Sequence, residues 1–286
     1  ALLEHPNGWH RDTAARLLYQ RQDRASSGPL EAIARSSERE EGRMAALYAL
    51  SGTDSLKEHV LLTALEDASP LVLAHALRLS EPLAATSPAI VARICRMTDD
   101  TDIRVRYQLA FSLGAASGAS RNAALAKLAV DDGSSPWFRL AILSSLLEGC
   151  GDVFEQVASD KEFRNSTQGR ELLLVLAKQI GTANRQDEIA VVLKTLSNIP
   201  EEEKSLAESL VTTLSEELQG DSRKAMLAAV GGKAATVLET LLRQARATAG
   251  DSTQPIAARV AAIRTLRLSS LDEVQEQLVE LLDLRQ

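Results

Sequence analysis

One apolar pattern recurs along this chain. A lead position, arginine in all but one copy, is followed by apolar residues three, four and usually seven places later, the spacing that places them on one face of a helix. Arg11 leads Ala14, Ala15 and Leu18, and Arg43 leads Ala46, Leu47 and Leu50. Leu73 leads Ala76 and Leu77, with Ser80 breaking the last place. Arg106 leads Leu109, Ala110 and Leu113; Arg139 leads Ile142, Leu143 and Leu146; Arg170 leads Leu173, Leu174 and Ala177. These six lead positions are separated by 32, 30, 33, 33 and 31 residues. A fixed period in the low thirties marks stacked helical repeats. A seventh copy, Arg259 with Ala262, Ile263 and Leu266, follows after 89 residues, room for two further copies at strict period.

The pattern predicts repeats of two antiparallel helices, the first carrying the lead position. Asp67-Ala-Ser-Pro70, Asp132-Gly-Ser-Ser-Pro136 and Asp251-Ser-Thr-Gln-Pro255 stand before first helices, where Asp or Ser caps free amides and Pro is tolerated in the opening turn. Second helices are expected near 29–36, 55–66, 88–97, 121–130, 153–160, 186–197 and 271–284. Helices over 202–219 and 234–249 fill the long gap, with an irregular insertion near 219–233. The expectation is one all-α domain over 1–286, an α/α superhelix of about eight helix pairs. A solenoid of this kind grows in one dimension, so length does not impose a second domain.

Composition narrows the function classes. Hydrophobic residues make up 45% of the 286, but aromatics only 3%, a balance of small and straight-chain apolar residues that suits close helix packing. The formal net charge of −7, with a pI near 5.3, opposes the counterion release that drives non-specific nucleic-acid binding. The expected partners are therefore proteins or flanking domains of the same chain, not nucleic acid. No stretch reaches the twenty or so apolar residues of a membrane span. The chain opens ALLEHPNGWHRD inside the first repeat and without Met, which reads as part of a longer protein. Cys95 and Cys150 stand about two repeats apart, too far in such a stack for a disulfide. Cys95, beside Val91, Ile94 and Met97, reads as a small buried hydrophobe, and the compartment stays open.

The segments 67–79, 102–113, 132–146 and 251–266 carry an Asp, a Pro or β-branched residue, an Arg (except at Leu73), then Ala and Leu at helical spacing. This resembles HEAT repeats, where the Asp and Arg hydrogen-bond between neighbouring repeats as a ladder. The resemblance implies that Asp102, Asp132, Arg106 and Arg139 are scaffold. Leu73 departs from it and removes one rung. The stretch Leu3-Glu-His-Pro-Asn-Gly-Trp-His-Arg-Asp-Thr-Ala-Ala-Arg-Leu-Leu18, with Arg43-Met-Ala-Ala-Leu-Tyr-Ala-Leu50, is similar to the HEAT region of planctomycete-type exported proteins that join a dehydrogenase propeller to a c-type haem domain. That likeness implies a periplasmic or secreted parent. The haem motif C-x-x-C-H does not occur in this sequence, so no redox role passes to any residue here.

No catalytic, cofactor-binding or metal-ligating set emerges. His5, His10, His59 and His75 are the whole histidine supply, without the paired spacing of a zinc helix. His5 and His10 flank Trp9, which reads as a cover for the open end of the first helix pair, the alternatives being a docking point for a preceding domain or a minor metal site. Trp137 with Phe138 reads as core in a helix's first turn, the alternative being an exposed anchor of the type enriched at interfaces. Asp99-Asp-Thr-Asp102 and Asp131-Asp132 lack the ligand spacing of a calcium loop. Gly231-Gly-Lys is too short for a phosphate loop, and G-x-S-x-G is missing. The functional expectation is a non-catalytic interaction scaffold whose second helices form the contact face, lined by Lys57, Glu58, Arg93, Lys127, Glu188 and Lys194. Two alternatives are a HEAT-like DNA glycosylase, which needs a basic face with a catalytic Asp, and a bilin-lyase-like module, which needs an acid-lined pocket.

Overall fold

The computed structural model describes residues 2–218, 232–266, and 269, 274–275, 278–279 and 281–282. Among the described residues it is all-helical and contains no strand. The helices are α1 Gly8–Arg21, α2 Ser27–Ser36, α3 Glu40–Gly52, α4 Glu58–Ala64, α5 Pro70–Ala84, α6 Pro88–Ile94, α7 Ile103–Ser112 and α8 Ala119–Asp132. They continue with α9 Pro136–Ser144, α10 Cys150–Ser159, α11 Lys161–Asn165, α12 Thr167–Ala183, α13 Gln186–Asn198, α14 Lys204–Glu217, α15 Gly232–Gly250 and α16 Ile256–Leu266. The insertion expected near 219–233 falls outside the described residues up to 231, as does most of the second helix expected over 271–284. The chain forms two compact units, 1–149 and 150–286.

In the first unit, α1, α3, α5, α7 and α9 pack side by side in that order, and α2, α4 and α6 form a second row against them. The lead positions explain this arrangement. Ala46, Leu47, Leu50, Ala76, Leu77, Leu109, Ala110, Leu113 and Ile142 are all fully buried. Leu61, Ile90 and Ile94 of the second row close the core, joined by Leu65 just past α4 and Leu125 on α8. Ser80, which breaks the apolar pattern, is also fully buried and is satisfied by donating its hydroxyl to Leu77 O at 2.7 Å. In the second unit α12 packs on α10, α11 and α14, α13 packs on α10, and α15 packs on both α13 and α16. Its core holds Phe154, Leu172, Leu173, Leu176, Ile180, Leu210 and Leu214.

Capping divides the labour between Ser and Asp. Ser69 and Ser135 take the N-cap positions of α5 and α9, with Pro70 and Pro136 in the first turn. That leaves Asp67 and Asp132 free to receive a guanidinium from the preceding first helix. Arg43 donates Nε to Asp67 Oδ2 at 2.6 Å and Nη2 to Oδ1 at 2.8 Å, while its Nη1 reaches Ser37 O, six residues upstream, at 2.7 Å. Arg106 repeats this geometry on Asp132, at 2.8 Å for both bonds, and on Asp100 O at 2.7 Å. Asp102 does not join the rung; it caps α7 through Arg104 N and pairs with the Arg104 side chain at 2.7 Å. Arg11 and Arg139 keep the upstream half of the pattern, donating to His5 O at 2.7 Å and Gly133 O at 3.0 Å.

The lead position read at Arg170 is displaced. Arg164 makes that rung, with Nε on Glu203 Oε2 at 2.6 Å, Nη2 on Oε1 at 2.9 Å and Nη1 on Ala158 O, again six residues upstream. Arg170 instead reaches Asn165 Oδ1 at 3.4 Å. The short helix α11, capped by Asp160 at 2.8 Å, is the cause: it inserts a turn before α12 and carries the arginine with it.

Candidate functional site

A groove of about 510 Å³ runs across three neighbouring first helices of the first unit. From α5 it is lined by Ala74, His75 and Arg78, and from α7 by Ile103, Arg104, Tyr107 and Gln108. The start of α9 supplies Ser135, Trp137 and Phe138. The volume is within the ~300–1,000 Å³ of ligand sites. The groove is partly open to solvent, and most of its accessible wall is apolar.

The sequence expectation that Trp137 belongs to the core is corrected here. Trp137 is 69% exposed, whereas Phe138 is 3% exposed. Consecutive helical residues point about 100° apart, so the Ser135–Pro136 start that turns Phe138 inward turns Trp137 outward. Ile103, one residue past the Asp102 cap, is likewise 57% exposed.

Behind the groove the rings hold one another edge-on. Tyr107 packs T-shaped on Phe138, with centroids 5.3 Å apart, and on Phe111 at 5.2 Å. Tyr48 on α3 extends the strip: its hydroxyl shares a 2.8 Å hydrogen bond with His75 Nδ1, and the two rings are T-shaped at 5.5 Å. Tyr48, Tyr107, Phe111, Trp137 and Phe138 thus gather on one side of a chain that has two Trp, three Tyr and four Phe in all. Partial burial lowers the His75 pKa, and the Arg78 charge lowers it further, so the imidazole is neutral near pH 7. Burial raises the Tyr48 pKa, keeping the phenol protonated.

Two cations stand on the rim. Arg104 is held bidentate by Asp102, and those hydrogen bonds lower the Asp102 pKa from 3.8 to about 2. Arg78 is exposed, and among the described residues no carboxylate lies within ion-pair distance of it. Gln108 is committed to Ser112 Oγ at 3.1 Å and Glu81 Oε1 at 3.3 Å. The wall therefore offers apolar and aromatic surface, a neutral imidazole and an available guanidinium. It holds no carboxylate of its own.

The residues expected to line the second helices are mostly engaged as stitches between neighbours. Lys57, the N-cap residue of α4, pairs with Glu31 on α2 at 2.9 Å, and Arg93 on α6 donates to Leu65 O at 2.5 Å. Lys127 pairs with Asp131 at 2.8 Å and Asp99 at 3.0 Å, and Lys194 with Glu155 at 3.1 Å. Glu188 is buried and accepts Cys150 N–H at 3.0 Å at the start of α10, while Glu58 is exposed. Trp9 is 67% exposed with its edge on His10, and no residue of α1 is buried, so it does not close that end as a cover would. The His5 and His10 rings lie 4.1 Å apart; among the described residues no group of three or more His, Cys, Asp or Glu side chains converges on a point that could hold a metal. Cys95 is half-buried rather than core, and burial raises its thiol pKa. No described helix is long and apolar enough to cross a membrane.

Sequence reasoning missed Tyr48, His75, Arg78 and Tyr107 as a group. The signal available was the scarcity of aromatics and their clustering on successive first helices, 27 to 32 residues apart from Tyr48 to His75 and from His75 to Tyr107. No protein-family model matches this chain, and no curated protein matches it.

Proposed function

We propose that this chain is a non-catalytic scaffold of HEAT-like repeats, an α/α superhelix that works as a protein-interaction module and makes its contact through the aromatic groove of residues 1–149. The observation that carries the reading is Trp137, 69% exposed at the edge of a groove of about 510 Å³. Exposing a tryptophan to water forfeits the burial of a large apolar surface, and Trp is enriched among the residues that dominate interfaces. The repeated Arg–Asp rungs support the HEAT-like part of the reading, because each ties a first helix to the residues that lead into the next one. The N-terminal resemblance supports a place beside other domains in a larger exported bacterial protein of redox type, with this module docking or linking them.

The test is a displayed library of random dodecapeptides panned in parallel on the intact chain and on Trp137→Ala. The reading expects clones retained by the parent and lost from the variant. Clones retained equally by both would place the contact surface elsewhere.

A further inference from the structure

The groove also carries information about the chemistry of what fills it. Its ends lie on α5 and α9, two helix spacings apart; with neighbouring axes roughly 8–10 Å apart, this is about the length of six extended residues at ~3.3 Å each. An open channel of that length suits a chain segment better than a compact small molecule.

Charge then selects among segments. The whole chain is acidic, at −7, yet the groove wall carries Arg78 and Arg104 and no carboxylate. Arg104 spends two of its donors on Asp102. Among the described residues no carboxylate lies within ion-pair distance of Arg78, and the His75 beside it is neutral, so Arg78 is the cation that this end of the groove presents. A guanidinium over an apolar floor favours a carboxylate and repels Lys or Arg. The apolar part of the wall, Trp137 and Ile103, calls for an aromatic or branched aliphatic side chain beside that acid.

Resting on the reading of the groove as the contact surface, we infer that its occupant is a short acidic protein segment bearing an aromatic or branched aliphatic anchor, with a carboxylate seated on Arg78. A single-stranded nucleic acid is the competing polyanion. It is disfavoured because Tyr107 and Phe138 already engage each other edge-to-face, which leaves Trp137 as the well-exposed aromatic ring among the groove's lining residues, where strand binding uses several open rings and many cations.

The experiment immobilises the intact chain and offers three probes: a pool of heptapeptides with a central Trp, Phe, Leu or Ile among random Asp and Glu, the same pool with Lys and Arg in place of the acids, and a single-stranded oligodeoxythymidine. The expected result is retention of the acidic pool at least about tenfold above the basic pool, the worth of one charge-assisted hydrogen bond. That ratio should collapse towards one in Arg78→Glu, and the oligonucleotide should wash through. Preference for the basic pool, retention of the oligonucleotide, or an acidic preference unchanged in Arg78→Glu overturns the inference. Equal retention of both peptide pools, lost in Trp137→Ala, removes the acidic assignment but keeps the groove as a contact surface. Failure of every pool to bind the parent above Trp137→Ala removes both.

Discussion

Arg164 and Arg106 make the same three contacts but differ in burial, and this sets what each is worth. The Arg164 and Glu203 side chains are 10% and 7% exposed, those of Arg106 and Asp132 20% and 10%. Removing one partner of a buried pair leaves the other charge without compensation, at about 3–5 kcal/mol. Arg164→Ala should therefore lower the free energy of unfolding by that amount, and Arg106→Ala by about 1–3 kcal/mol. Urea titrations of both variants check the order; equal losses, or none for Arg164→Ala, would contradict it. The Arg164 guanidinium holds the Glu203 pKa below 4.5. A carboxylate with a lowered native pKa binds fewer protons folded than unfolded. The stability it supplies is complete above about pH 4.5 and drains as pH falls through the native value. Glu203→Gln should flatten the stability profile in that acid window, and an unchanged acid limb would show that the pair does not titrate with folding. Of these rungs the sequence made Arg106–Asp132 legible, because lead position and acid fall in register. It hid Arg164–Glu203, because the upstream carbonyl contact depends on where a turn ends, and α11 moves that turn by six residues.

At the scale of elements, helix boundaries were readable where Ser-Pro or Ser-x-x caps punctuate the chain. The second helices expected at 29–36 and 186–197, and the gap helix at 234–249, fall within two residues of α2, α13 and α15. What periodicity does not encode is how closely two elements approach. Gly169 in the first turn of α12 shows this: a Cβ there would lie 1.9 Å from Phe163 O in α11, closer than any contact tolerates. Gly8 at the start of α1 meets only the end of the Arg11 side chain, 3.6 Å from its Cβ direction, an ordinary contact. Gly169→Ala should cost about 1–3 kcal/mol or more by forcing the backbone apart. Gly8→Ala should be neutral or stabilise by up to about 1 kcal/mol through helix propensity. Thermal melts of the pair check this, and a Gly169→Ala chain as stable as its parent would contradict the α11–α12 contact. The groove was less legible than the helices. Its members lie on three helices at places that follow no single offset from the lead position, and Trp137 and Phe138 have the same hydropathic character but opposite orientation.

For the whole molecule, the compact unit 1–149 contains every residue of the groove and its core. Within it α1 has no buried residue, whereas α3, α5 and α7 contain fully buried ones. Local opening follows buried contacts, so amide exchange should be fastest in α1 and slowest in α5 and α7; uniform protection along the unit would contradict that gradient. On the reading proposed above, the aromatic groove serves contact and not folding. The most direct measurement pairs the denaturant midpoint of Trp137→Ala and Phe138→Ala with their affinity for one parent-selected peptide. Phe138→Ala should lose about 3–5 kcal/mol of stability. Trp137→Ala should stay within about 0.5 kcal/mol of the parent, as exposed substitutions do, while binding the peptide at least about tenfold more weakly. A Trp137→Ala chain that unfolds as early as Phe138→Ala, yet binds the peptide as tightly as the parent, would contradict it.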